Sequence, residues 1–149
     1  MPNKLFPESK KSYTTLYKTL MKPKILIIED DQPIIKLYKE VFPMAGFEIE
    51  ILDLAQEGIK RLEEIREGKK EKPDLILLDL ILPDINGIEV LKEARKYPET
   101  KNLKIYILTN YSRSEINEEL VKEGADKILI KFEYSLKELV EIIKEGVKP

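Results

Sequence analysis

Short runs of apolar residues recur from residue 24 onward, and each is followed by a longer stretch in which apolar positions repeat with a helical period. The runs are rich in Ile and Leu and are five or six residues long, which is typical of strands buried on both faces of a parallel sheet. They predict five strands, at 24–29, 47–52, 75–79, 104–109 and 126–131.

The stretches between these runs contain residues that begin and end helices. Asp31 is a candidate N-cap for the first helix, and Pro43 should kink or end that helix. Ser112 or Ser114 is a candidate cap for the fourth helix, and Ser135 opens a capping-box pattern at the fifth. The pattern predicts five helices, at about 31–43, 55–68, 88–97, 112–124 and 135–146.

Strands that alternate with helices in this way predict an α/β fold, a parallel sheet covered by helices on both faces. Connections of this type are right-handed, so few topologies are open to the chain. For five strands, the flavodoxin-like, doubly wound order 2-1-3-4-5 is the common solution. Ligands of such sheets bind outside the carboxyl ends of the strands, so the residues at those ends are the first candidates for function.

Acidic, hydroxyl and amine side chains stand at the carboxyl ends of four of the five predicted strands. They are Glu29, Asp30 and Asp31 after the first strand, Asp79 after the third, Thr109 after the fourth and Lys131 after the fifth. Taken one at a time, each is ordinary as a cap, a turn residue, a strand former or a surface residue. Their convergence on the edge that binds ligands in this fold favours a functional site.

These residue types together indicate phosphoryl chemistry. Clustered carboxylates repel one another unless they take up protons or bind a cation, and an all-oxygen cluster suits Mg²⁺. A carboxylate can act as a nucleophile toward a phosphoryl group, and we expect Asp79 to do so. Lys131 would neutralise charge on the transferring group, and Thr109 would donate a hydrogen bond to one of its oxygens.

Composition excludes several other kinds of chemistry. The 149 residues include no Cys and no His, which excludes disulfides, thiolate or imidazole metal sites and histidine acid–base catalysis. Residues 1–23 carry five lysines and one glutamate, whereas the remainder has a net charge of −6, so we expect no direct DNA binding. No apolar run approaches the roughly 20 residues that cross a bilayer. We therefore expect a cytoplasmic protein with no membrane partner.

Several segments resemble the receiver domain of two-component response regulators. KILIIEDDQPI resembles the opening strand and acidic pair of that family, and DLILLDLILPDINGIEVLKEAR resembles its phosphoacceptor segment, with Asp79 as the acceptor and Gly87 shortly after. YILTN places Thr109 at the position of the family's switch hydroxyl, and GADKILIK places Lys131 at the position of its lysine. The resemblance covers residues 24 to about 146.

The resemblance implies a signalling protein rather than a conventional enzyme. Asp79 would receive a phosphoryl group from a histidine kinase or histidine phosphotransfer domain, and the protein would catalyse its own phosphorylation and dephosphorylation. Mg²⁺ would be held by Asp30, Asp79 and the backbone carbonyl of Ile81, with Glu29 acting directly or through water. The signal would leave through an unknown downstream protein, from a monomer or weak homodimer.

Three positions depart from the pattern of that family. Phe132 follows the lysine where proline is usual, so the peptide bond before it could be trans. Ile128 stands where the family has a rotating aromatic, and Asn110 replaces a small residue. They keep open a second hypothesis, a receiver-fold interaction module with weakened phosphorylation-dependent switching. An aspartate-nucleophile phosphatase is disfavoured because Ile81 replaces the second Asp of an Asp-x-Asp site.

Residues 1–22 form an extension ahead of the receiver domain expected at 23–149. An apolar stripe with helical spacing runs along its second half, formed by Tyr13, Leu16, Tyr17, Leu20 and Met21. A helix this short is marginal alone and needs a surface to pack on. Docking on its own domain, on a second copy or on a partner stays open, as does a frayed tail.

Overall fold

The structure, a computed structural model, describes residues 13, 16–17, 20–110 and 113–148. Its strands are β1 (Lys24–Ile28), β2 (Glu48–Leu52), β3 (Leu75–Leu78), β4 (Ile105–Thr109) and β5 (Lys127–Ile130). All neighbours pair in parallel, in the order β2-β1-β3-β4-β5. The predicted flavodoxin-like topology is confirmed, and the observed strands are shorter than the predicted runs by one or two residues.

Helices follow each strand and cover both faces of the sheet. After residue 23 they are α1 (Gln32–Met44), α2 (Ala55–Arg66), α3 (Ile88–Arg95), α4 (Ser114–Lys122) and α5 (Leu136–Gly146), with a 3₁₀ turn at Lys131–Glu133. The described residues between 13 and 20 are helical as well. Within the described part of the chain, no helix combines the length and apolar character that a membrane crossing requires.

The core lies in two layers because successive strand residues point to opposite faces of the sheet. In β1, Leu26 and Ile28 face the layer under α2, α3 and α4, whereas Ile25 and Ile27 face the layer under α1 and α5. β3 alternates in the same way and is buried at all four positions. Burial on both faces accounts for the nearly continuous apolar runs of the sequence.

Most of the predicted helix signals have the expected geometry. The Asp31 side chain caps α1 by accepting from the Ile34 N–H, and the Ser135 hydroxyl caps α5 by accepting from the Glu138 N–H. Pro43 lies inside the last turn of α1, which ends one residue later. The expected serine cap of α4 is wrong for Ser114, which is the first helical residue and follows Arg113 at the cap position. Ser112 lies outside the described residues.

Candidate functional site

The carboxyl ends of β1 and β3 place Glu29 and Asp79 side by side. Each residue comes directly after its strand, and its backbone still continues the ladder. The Glu29 N–H donates to the Leu52 carbonyl at 3.0 Å, and the Asp79 N–H donates to the Ile28 carbonyl at 3.0 Å. Both side chains are thereby held at the edge of the sheet where ligands of this fold bind.

Three of the predicted acidic residues form one cluster. Ligand oxygens of Glu29, Asp30 and Asp79 all lie within 4.8 Å of one another. Glu29 and Asp79 are buried, with exposed fractions of 2% and 7%, and Asp30 is half-buried. Asp31 does not join the cluster and is exposed at the start of α1. The cluster contains the three acidic side chains that the family resemblance implies as Mg²⁺ ligands, with Glu29 acting directly or through water.

Lys131 reaches the cluster from the end of β5. Its Nζ donates to both carboxylate oxygens of Glu29 at 2.9 Å and to Oδ2 of Asp79 at 3.2 Å. The backbone here is the 3₁₀ turn that includes Phe132, and the structure has no cis peptide bond among its described residues. Phenylalanine in place of the usual proline therefore leaves the lysine within hydrogen-bonding distance of Asp79.

The electrostatics of the cluster favour a cation. Burial raises the pKa of Glu29 to about 7, and the neighbouring Asp79 carboxylate adds to this effect while Lys131 opposes it. Burial works against the charge of Lys131, but its bonds to Glu29 and the nearby Asp79 outweigh it and raise the lysine pKa. One lysine thus does not fully offset the cost of burying the Glu29 carboxylate beside Asp79. A compact set of oxygen ligands with excess negative charge fits Mg²⁺.

The loop after β3 holds the Asp79 carboxylate in place. The Ile81 N–H donates to Oδ1 of Asp79 at 3.3 Å, while Leu80 and Leu82 on either side of Ile81 are buried. The Gly87 N–H donates to the Leu80 carbonyl at 2.7 Å and closes the loop against β3. The loop therefore presents Ile81, which is 55% exposed, beside the acidic cluster.

Asp84 anchors the same loop, and sequence reasoning did not identify this role. Its carboxylate accepts from the Ala55 N–H at 3.0 Å and the Gln56 N–H at 2.8 Å, and so supplies the side-chain cap that Leu54 cannot give α2. Partial desolvation would raise the pKa of Asp84, but hydrogen bonds from backbone N–H groups outweigh it and lower the pKa. In the sequence Asp84 is indistinguishable from a turn residue, because its partners lie 28 and 29 positions away.

Thr109 ends β4 and is 1% exposed. It lines a cavity of about 320 Å³ together with Leu80 and Ile81, which places it against the loop after β3. Asn110 is exposed directly after it. Ile128 on β5 is half-buried and packs against the core under α4, so it offers no aromatic ring at the family's switch position.

Comparisons with known proteins give one consistent result. The chain matches the sequence model of the response regulator receiver domain over residues 25–144. It is 35% identical to sporulation initiation phosphotransferase F of Bacillus subtilis over 106 residues, 71% of this chain and 79% of that protein. It is 34% identical to the phosphate regulon transcriptional regulatory protein PhoB of Rhizobium meliloti over 126 residues, 83% of this chain. The match covers only 52% of PhoB.

A solved structure extends the comparison to the fold. The CheY-like response regulator receiver domain protein of Methanospirillum hungatei superposes with a TM-score of 0.73 at 32% sequence identity. The superposition covers 85% of this chain and 94% of that one.

Proposed function

The chain belongs to the response regulator receiver domain family, and from that premise we propose that it receives a phosphoryl group on Asp79 in a Mg²⁺-dependent reaction in the cytoplasm. The proposed donor is a histidine kinase or a histidine phosphotransfer domain. The observation that carries the proposal is the meeting of Asp79 with Glu29, Asp30 and Lys131 at the carboxyl edge of the sheet. Similarity to a protein named sporulation initiation phosphotransferase supports it.

The geometry supports direct attack by the Asp79 carboxylate. One Asp79 oxygen attacks the phosphorus of a phosphohistidine, the P–N bond breaks, and the histidine nitrogen leaves with the electron pair. The Ile81 N–H and Lys131 Nζ hold the two carboxylate oxygens in a fixed orientation. Such positioning, with charge stabilisation, is the main contribution that phosphoryl transfer needs.

The proposed Mg²⁺ ligands are the carboxylates of Glu29, Asp30 and Asp79 and the backbone carbonyl of Ile81. When bound, the ion supplies positive charge against the phosphoryl oxygens and the carboxylate cluster. Lys131 adds a second positive charge within bonding distance of the acceptor. The Thr109 hydroxyl is proposed to donate to a phosphoryl oxygen after transfer.

The site requires its metal, and this gives the first test. Incubation with Mg²⁺ and acetyl phosphate should add one phosphoryl group, measured by intact mass. EDTA should slow this labelling at least about tenfold, because the carboxylate cluster then repels the incoming phosphoryl oxygens. Excess Mg²⁺ added after EDTA should restore the rate. Equal labelling rates with and without EDTA would contradict the metal assignment, and no labelling with Mg²⁺ would contradict the function.

Exposed apolar residues beside the site indicate where a protein donor approaches. Phe132 is 86% exposed and Leu37 is 51% exposed, and both line an apolar cavity of about 200 Å³ that also includes Lys131. An exposed aromatic next to a reactive group is a typical anchor of a protein interface. We therefore propose that the donor domain covers Phe132 when it delivers the phosphoryl group.

Phe132→Ala should separate protein donors from small donors. Transfer from a histidine kinase fragment that labels the wild type should slow by about tenfold, because an interface anchor is lost. Labelling by acetyl phosphate should stay unchanged, because Phe132 makes no bond to the acceptor. Met44→Ala, which removes a side chain that is 88% exposed at the far end of α1, is the matched control. If Phe132→Ala slows labelling by the kinase fragment and by acetyl phosphate equally, Phe132 contributes to phosphoryl transfer itself and not to binding of the donor protein.

The output is proposed to pass through Thr109 to α4. Within α4, whose residues are all described, Leu120 alone is buried. The Asn117 Oδ1 atom of this helix is buried without a hydrogen-bond partner among the described residues. A helix with a single buried residue can shift at little cost when the Thr109 hydroxyl turns toward a phosphoryl group. Ile128 has no aromatic ring that could rotate and transmit the signal. This favours α4 as the element that moves.

A further inference from the structure

The described residues ahead of β1 carry apolar side chains that are largely exposed. Tyr13, Tyr17, Leu20 and Met21 are exposed by 48%, 64%, 74% and 46%. The Met21 N–H donates to the Tyr17 carbonyl at 2.9 Å, which continues helical bonding up to the start of the domain. Their spacing places the four side chains on one side of the helix, and we call them the N-terminal apolar face.

This face lies at the amino end of the sheet, where lysines outnumber acidic residues. Tyr17 and Met21 line a cavity of about 400 Å³ with five lysines and two acidic residues. The five, which we call the lysine rim, are Lys22, Lys24, Lys72, Lys104 and Lys148. Lys22 and Lys72 are exposed and form no salt bridge with any described residue. Positive charge is therefore available around the apolar face.

The charge of the molecule is divided between the two ends of the sheet. The carboxyl end holds the buried acidic cluster of Glu29, Asp30 and Asp79. The amino end holds the lysine rim, and residues 1–23, which lead into it, carry a net charge of +4. A surface that attracts the amino end therefore leaves the phosphoacceptor facing away from it.

We propose that the N-terminal apolar face and the lysine rim bind the surface of a bilayer that contains anionic phospholipid. Tyrosine and leucine side chains enter the headgroup region, and Lys22 and Lys72, which form no salt bridge with a described residue, lie against lipid phosphates. The expectation of no membrane partner rested on the lack of a spanning segment, whereas surface binding requires only one helix face. Phosphoryl transfer at Asp79 continues while the protein is bound, because that site lies at the opposite edge.

Charge favours a lipid surface over the other occupants of this face. In a symmetric dimer the same patch of each copy would meet, and two lysine rims would repel each other. The phosphates of a nucleic acid would bind the lysines, but these contacts would not bury the exposed side chains of Leu20 and Met21. An anionic bilayer offers negative charge and an apolar interior at the same place.

Vesicle flotation with the full chain tests the proposal. Vesicles of mixed phosphatidylglycerol and phosphatidylcholine should carry the protein, and vesicles of pure phosphatidylcholine should carry at least about tenfold less. Tyr17→Ser with Leu20→Ser should weaken binding to the mixed vesicles at least about tenfold. Val121→Ser, at a site 65% exposed on α4, is the matched control and should bind as the wild type does.

The lysine rim is tested by charge reversal. Lys22→Glu with Lys72→Glu should weaken vesicle binding at least about tenfold, whereas Lys36→Glu with Lys137→Glu, an equal change of charge on exposed positions of α1 and α5, should not. Asp79→Asn should bind the mixed vesicles as the wild type does. Vesicle binding is thereby tested independently of the assignment of Asp79 as the phosphoacceptor. Absence of vesicle binding, equal binding to neutral vesicles, or a dimer that Leu20→Ser dissociates would overturn the proposal.

Discussion

Asp79→Asn should abolish labelling by acetyl phosphate in the presence of Mg²⁺. An amide oxygen is a far weaker nucleophile than a carboxylate, so the attacking group is lost. The side chain keeps its size, and its remaining oxygen can still accept hydrogen bonds from the Ile81 N–H or Lys131. The loss of activity should therefore occur in a folded protein. Intact mass and circular dichroism on the same sample measure both parts of this expectation.

Asp53→Asn is the matched control for this experiment. Asp53 directly follows β2 at the same edge of the sheet, but it is exposed and lies outside the acidic cluster. It should label at the wild-type rate. If Asp79→Asn is still labelled at the wild-type rate, and peptide mapping places the label on another carboxylate, the assignment of Asp79 as the acceptor is refuted.

The topology and the convergence of the strand ends could be predicted because both follow from local patterns. Strands buried on both faces leave continuous apolar runs, and the fold then brings their carboxyl ends together. Glu29, Asp79 and Lys131 each stand one residue past an observed strand, so errors of a residue at the strand ends did not move them out of the site. The meeting of these side chains depends on the order of the elements along the chain and not on the bounds of each element.

The arrangement of the acceptor loop could not be predicted because it depends on contacts distant in sequence. Asp84 caps a helix that begins 29 positions earlier, and no local pattern pairs it with Ala55. The reach of Lys131 through a trans peptide before Phe132 is likewise a property of the folded chain. Resemblance to the family drew attention to Gly87, but only the packing of the loop explains why glycine is needed there.

Gly87→Ala should damage the site without touching any of its charged groups. The backbone of Gly87 has a φ of −58°, which alanine adopts freely, so conformational strain is not the reason. A Cβ at this position would lie 2.1 Å from the carbonyl oxygen of Asp79 and 3.0 Å from the Cα of Leu80. Both atoms belong to the backbone, so no side-chain rotation can relieve the clash. The loop must therefore move away from β3.

The displacement would move Asp79, the proposed acceptor. We expect labelling by acetyl phosphate to slow by about tenfold or more, because misplacement by an ångström is enough for such losses, and the free energy of unfolding to fall by about 2 kcal/mol. Gly68→Ala is the control, since its φ of +73° strains alanine by about 1 kcal/mol while its Cβ meets nothing within 4 Å. It should lower stability in urea unfolding and leave labelling unchanged. If Gly87→Ala labels as fast as Gly68→Ala, the close packing of Gly87 on Asp79 does not position the acceptor.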